Sequence, residues 1–280
     1  MRLIRYCILS IAFLFFLSAS AHSAPYNLIL NDSASNISLT SRLEVLEDHA
    51  GLLSFEDVSS GAFEKHFVCP RKEFLNYGLT YSAFWVRFNA ENSGTQKHHW
   101  VLYYEYPQIG QMDVFVEKSN GENLHMRGGI SIPIQHRDFK HYQHAFNIQL
   151  DPGQSMRVYV RLQSRAVMLI GFSFFEREDF LLSVSGNHLF FGLFIGVLLA
   201  LMIYNLILFI SLRDRNFLYL FLLGLTFILY DLTLTGVADE YLWPEGWSDW
   251  SYIAPLITSG LLMTMGLLYA RHFLETAKRL

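Results

Sequence analysis

The chain has 280 residues and a formal net charge of −4, so neither a polybasic tail nor a nucleic-acid partner is implied. Its residues are 52 % apolar, with 24 Phe and 15 Tyr, and the apolar excess sits at the extreme N-terminus and after residue 188, which favours two modules over one uniform core. There are two cysteines, Cys7 and Cys69; if the first leaves with a leader, no lasting disulfide forms, and Cys69 is expected to be a small buried apolar residue.

Residues 1–23 read as a secretory signal peptide. Arg2 and Arg5 make a basic start, Ile8 to Leu17 a short apolar run, and Ala19, Ser20 and Ala21 supply the small residues wanted near a cleavage site. An uncleaved first membrane helix is the alternative, and the shortness of the run argues against it. Cys7 lies too early for a lipoprotein attachment site. The mature N-terminus is therefore expected outside the cytoplasm.

Residues 26–180 carry a period-two pattern. Ala83, Trp85 and Arg87 alternate with Phe84, Val86 and Phe88, and runs at 100–104, 112–116, 145–150, 157–162 and 168–175 continue the style. Turn residues separate them at 92–94, 119–121, 128–129 and 151–153. Short strands at near-regular spacing predict an antiparallel β-sandwich or jelly roll. No glycine-rich phosphate loop opens a helix here. Residues 176–187 are expected to be a short polar connection, too short for a flexible linker, so the sandwich should sit close on the membrane.

Residues 187–280 form the membrane part, with spans expected at about 189–212, 217–236 and 253–273. The first is about 24 residues with Asn205 as its one strongly polar side chain, and as a helix it covers roughly 36 Å, enough for a hydrocarbon core of about 30 Å. Pro255 is expected near the start of the third span, where proline is tolerated. Arg213 and Arg215 follow the first span, and Arg271, His272, Lys278 and Arg279 follow the third. The loop at 237–250 is acidic and holds three tryptophans suited to a membrane interface. This charge pattern puts the sandwich outside and the Arg213 turn and the C-terminus inside, the orientation the signal peptide also requires.

Candidate site residues are few. Trp85, Trp100, Tyr103, Tyr104 and Tyr106 could stack on sugar faces; taken singly, each is more readily a packing residue. Arg87, Arg137 and Arg161 could together receive a carboxylate or phosphate, although strand arginines more often pair with Asp or Glu across a sheet. His141 and His144 would face opposite sides of a strand and make a poor metal pair, and no metal or cofactor is expected. No nucleophile or acid–base pair signals catalysis. Asp231 lies inside the second span toward its sandwich-side end, where an ionisable group defaults to a functional hypothesis; an interface position beside Thr233 and Thr235 is the plainer reading. Asn205 is expected to bond to a neighbouring helix in packing.

With this layout in place, the residues resemble the bacterial seven-transmembrane receptors with diverse intracellular signalling modules. Phe191 to Asn205 looks like the family's first helix, where a glycine-rich start leads to a Tyr-Asn pair. The basic turn Ser211 to Tyr219 and the Gly236 and Tyr241 to Pro244 stretch are also similar. In the outer half, Ser82 to Phe88 matches the Trp-x-Arg-Phe strand of the family's second type of extracellular domain. Gly129, Ile132, Pro133, Arg137 and Tyr159 to Ser164 match its later landmarks. The resemblance implies a sensory receptor of the bacterial inner membrane, its sandwich periplasmic and its C-terminus cytoplasmic, that binds a small ligand, with carbohydrate as the suggested class, and signals across the membrane. The bilayer is a partner, and a homodimer or cytoplasmic signalling partner would carry the output. Family members have seven helices and usually an output enzyme; three spans are seen here, so a fragment or a truncated member is expected. A membrane-tethered carbohydrate-binding or adhesion module without signalling is the alternative function, and a transporter subunit is weaker, because three spans lack an inverted repeat.

Overall fold

The computed structural model of the chain describes residues 27–32, 35–244 and 246–274. The expected signal peptide with Cys7, and the basic residues Lys278 and Arg279, lie outside the described residues. The strands follow as β1 Asn27–Leu30, β2 Asn36–Ser38, β3 Glu44–Asp48, β4 Leu75–Leu79, β5 Ala83–Asn92, β6 His98–Tyr104, β7 Gln111–Lys118, β8 Asn123–Gly128, β9 His144–Leu150, β10 Ser155–Gln163, β11 Val167–Ile170 and β12 Phe172–Glu176. One sheet has the order β1-β5-β10-β7-β8, with β3 also paired to β5; a second has the order β2-β12-β6-β9; β4 and β11 make a two-stranded ribbon. β1 runs parallel to β5, and β3 and β10 run antiparallel to it. The expected all-β sandwich is the observed architecture.

The period-two pattern decides what fills it. Phe84, Val86 and Phe88 of β5, Val158, Val160 and Leu162 of β10, and Met112, Val114 and Val116 of β7 point inward and meet Trp100, Leu102, Phe146, Ile148, Phe172 and Phe174 of the other sheet. Trp100 lies flat on Phe174, ring centroids 5.1 Å apart and planes at 5°. The other face of β5 is covered too. Trp85 packs there with Leu46, Val58, Phe67 and Tyr159 under a short helix, Phe55–Ser59. That helix is held at its start by a reciprocal cap: the Asp57 amide donates to the Ser54 hydroxyl, and the Ser54 amide donates to the Asp57 carboxylate, at 3.2 and 2.9 Å.

The first span is longer than expected. A single helix runs Arg177–Leu212, 36 residues, or about 54 Å, and the polar connection expected at 176–187 is its first three turns. The reason is local: this stretch contains no proline, and Glu178 and Asp179 occupy the first turn, where carboxylates favour the helix dipole. The second span is Arg215–Thr235, opened by Asp214 accepting the Asn216 amide at 2.9 Å and closed at Gly236, whose φ of 83° suits glycine. A short helix, Val237–Tyr241, follows, and the third span is Ser248–Phe273, which begins before residue 253 and takes Pro255 into its third turn. All three are long and apolar enough to cross a membrane.

Candidate functional site

The expected aromatic platform does not form. Trp85, Trp100 and Tyr104 are 1 %, 0 % and 2 % exposed, because each points into one of the two layers of core on either side of the larger sheet. The Tyr104 hydroxyl donates to the Leu169 carbonyl, and burial raises its pKa. Tyr103 is turned outward on β6, against Phe175 and Phe180.

The three arginines do not converge either. Arg87 is buried on β5, its Nε 2.6 Å from Glu44 and its two terminal nitrogens 2.6 and 2.9 Å from Glu64. Burial works against its charge, but the bonds to Glu64 and Glu44 outweigh that and raise its pKa. Its guanidinium also lies 4.1 Å from the Phe67 ring centroid, so this is a structural node of the kind strand arginines commonly make. Arg161 donates to the Gly51 carbonyl and to Gln163, both at 3.1 Å. Arg137 shares no partner with either: it lies in the loop between β8 and β9, donating to the carbonyls of Gly129, Ile132, His141 and Tyr142 at 3.0–3.2 Å.

Arg137 leads to the part of the molecule where the two modules meet. Burial lowers its pKa to about 10, while the charges of Asp239 and Glu240 oppose the shift. Those two acids belong to the short helix between the second and third spans, and with Arg137, Lys140, Trp243 and Trp247 they line a cavity of about 290 Å³ between sandwich and membrane part. Burial raises the Asp239 pKa against the bond from Ser251, which donates to it at 2.5 Å. Glu240 accepts the Tyr142 amide at 2.9 Å. The loop at 237–250 is thus docked under the sandwich, not only laid along the membrane as its tryptophans implied.

Every span is held at its sandwich end. Gln108 donates to the Thr233 and Leu234 carbonyls of the second span at 3.0 and 3.5 Å. Arg165 faces Asp249 of the third span at 3.4 Å. The first span inserts Phe180 into a small apolar cluster with Val101 and Ala145, edged by Tyr103, Phe139, Phe175 and Val184. Beside it His188 of the same helix and His141 of the β8–β9 loop share a hydrogen bond, Nε2 to Nε2, at 3.0 Å. Such a bond needs at least one neutral imidazole, and burial lowers the His141 pKa, with Glu240 opposing and His188 and Arg137 adding to the shift.

The two polar residues singled out within the spans have different fates. Asn205 donates to the Leu201 carbonyl of its own helix at 2.8 Å, so it makes no bond to a neighbouring helix among the described residues. Interhelical polar contact comes instead from Thr233 and Thr258, hydroxyl to hydroxyl at 3.0 Å. One carboxylate oxygen of Asp231 is buried with no hydrogen-bond partner among the described residues.

The sequence reading missed Gln108, Tyr142, Phe180 and Arg165. A signal existed for one of them: Phe180 and Val184 are four apart, the spacing of one helix face, in a stretch that also holds Leu181 and Leu182. The others are single polar residues in turns, indistinguishable by type from solvated ones.

Comparisons with known proteins add two family models. "7TMR-DISM extracellular 2" matches residues 40–176 and "7TM diverse intracellular signalling" matches residues 187–280. No curated protein matches. Among solved structures, TmCBM61 in complex with beta-1,4-galactotriose is similar at 11 % identity and a TM-score of 0.27, over 49 % of this chain and 90 % of that one. A family 35 carbohydrate binding module from Clostridium thermocellum gives 9 % and 0.25, over 51 % and 99 %. A Cry1Da tryptic core variant from Bacillus thuringiensis gives 8 % and 0.25, over 54 % and 25 %. At scores this low the likenesses carry no functional inference.

Proposed function

We propose that this chain, which belongs to the seven-transmembrane receptors with diverse intracellular signalling, senses a small ligand through its β-sandwich and passes the signal to its membrane helices. The sandwich lies in the periplasm of a bacterial inner-membrane protein, the loop at Arg213 and the C-terminal side lie in the cytoplasm, and a second copy or a cytoplasmic partner receives the output. Carbohydrate is the ligand class to screen first, on the strength of the family resemblance. No catalytic role is assigned to this chain.

The observation that supports the reading is the docking of all three spans against the sandwich, through Phe180, Gln108 and Arg165. A ligand shifts a helix arrangement only by the difference in its affinity for two states. A docked interface lets a change within the sandwich favour one arrangement of the helices; a loosely tethered module has no such lever. Two cavities, of about 290 and 410 Å³, lie at this junction, and a third, open and of about 850 Å³, lies on the sandwich beside β1 and β2.

The test is hydrogen exchange on the full chain in nanodiscs, screened against mono- and oligosaccharides and organic acids. A sensor changes protection both in the sandwich and at 237–250. Change confined to the sandwich would favour a tethered binding module and defeat the sensory reading.

A further inference from the structure

We propose that the span-facing rim of the sandwich is seated in lipid, with Leu79, Tyr81 and Val167 in the interfacial layer of the leaflet on the sandwich side. Three large apolar residues of the sandwich are more than 70 % exposed among the described residues: Leu52 at 82 %, Leu79 at 74 % and Tyr81 at 83 %. They belong to one end of the fold. Leu79 ends β4 opposite Val167, itself 48 % exposed, at the start of β11. Tyr81 comes just before β5, and Leu52 follows Gly51, whose carbonyl is bonded by Arg161 next to the end of β10. Scattered apolar side chains on a surface need no explanation, but a cluster at one end does.

That end is also where the third span begins. Tyr81 lines a cavity with Arg165 of the sandwich and Ser248, Asp249 and Tyr252 of the third span, and Arg165 is 3.4 Å from Asp249. The third span has 26 residues, about 39 Å of helix against a hydrocarbon core of about 30 Å. Ser248 and Asp249 make its first turn polar, which suits the headgroup layer, and Tyr81 stands beside them. The side chains fit that layer: a tyrosine with an apolar body and polar tip, aliphatic neighbours, and an exposed arginine within reach of lipid phosphates. Continuity with the span ends selects the bilayer as occupant over a second copy of the chain or further helices.

Site-directed spin labelling decides the matter. Leu79→Cys, Tyr81→Cys and Val167→Cys are made singly in the full chain with Cys7→Ser and Cys69→Ser, labelled, and placed in nanodiscs of phosphatidylethanolamine and phosphatidylglycerol. Asn120→Cys, in the turn between β7 and β8 at the other end of the larger sheet, is the control, and a retained thermal transition shows that each variant folds. Collision with molecular oxygen should exceed collision with a water-soluble nickel chelate at the three rim sites, and the order should reverse at Asn120. Nickel access at the rim equal to that at Asn120 would place the rim in water. Low access to both reagents would place it against protein. Either result overturns the proposal.

Discussion

Replacing Phe180 by alanine removes the contact that ties the first span to the sandwich. The ring is 5 % exposed and has Phe139, Tyr103 and Phe175 at centroid distances of 5.4, 5.7 and 5.9 Å. Truncating a phenylalanine so packed costs about 3–5 kcal/mol, which raises the equilibrium for local undocking by about two to nearly four powers of ten. The turns before residue 189 project beyond the apolar run, and a short polar helix is marginal in water without packing. Undocking should therefore let them fray. Hydrogen exchange of the full chain in nanodiscs should show faster exchange at 178–187 in Phe180→Ala, with the strands of the larger sheet unchanged. Unaltered exchange there would mean that the helix holds itself and that the packing at Phe180 does not order it.

Other consequences concern charge. His144 is buried, its Nε2–H donating to the Pro107 carbonyl at 3.0 Å and its Nδ1 accepting the Gly129 amide at 3.3 Å; burial, with the Arg137 charge, lowers its pKa from 6.5 to about 3. The unfolded chain takes up a proton below 6.5 that the folded chain refuses, so this contribution is whole above 6.5 and is lost at up to about 1.4 kcal/mol per pH unit as pH falls toward 3. The bond of His98 to Asp32, then that to Glu176, raise the His98 pKa against burial and act in the opposite sense, stabilising below 6.5 and fading as pH rises through the folded value. Thermal midpoints between pH 4 and 7 should slope less steeply in His144→Gln than in the unmodified chain; equal slopes would contradict this assignment. Arg87→Met should destabilise the sandwich by about 3–5 kcal/mol in a denaturant titration, since it strands Glu44 without its partner, and a loss under about 1 kcal/mol would show the pair to be dispensable. Asp231→Asn should raise the thermal midpoint in detergent, because an unpartnered carboxylate in a span costs about 2.5–3.5 kcal/mol; a fall would reveal a partner for Asp231.

The fold was legible where one physical rule dominated. Strands with alternating apolar residues, such as β5 and β10, announced themselves, as did the uncharged run from Leu189 to Leu212. Strands β1 and β2, at four and three residues, are too short for alternation to register. The helical character of 177–187 was hidden because its polar residues read equally well as a loop; the acids of the first turn and the contact of Phe180 with β6 and β9 together favour helix. Alternation also placed Trp85 on the face opposite Phe84 without revealing that a second apolar layer, built from the short helix at Phe55, covers that face. The same blindness affected the site. Arginines and aromatics advertise binding by type, yet Arg87 and Trp100 are consumed by pairing and packing. The junction is assembled from Gln108, Tyr142, Arg165 and Glu240, which lie far apart in the chain and acquire meaning only when the spans fold back beneath the sandwich.

The central claim is that sandwich and spans move as one docked unit. A pulsed electron-paramagnetic-resonance distance tests it most directly, with nitroxides at Asn120→Cys in the sandwich and Leu212→Cys at the end of the first span, in the full chain in nanodiscs with Cys7 and Cys69 replaced by serine. The docked contacts predict one narrow distance distribution, which Phe180→Ala combined with Gln108→Ala broadens. A broad distribution in the chain carrying both Phe180 and Gln108 would contradict the account, because the sandwich would then ride on the membrane as a tethered passenger.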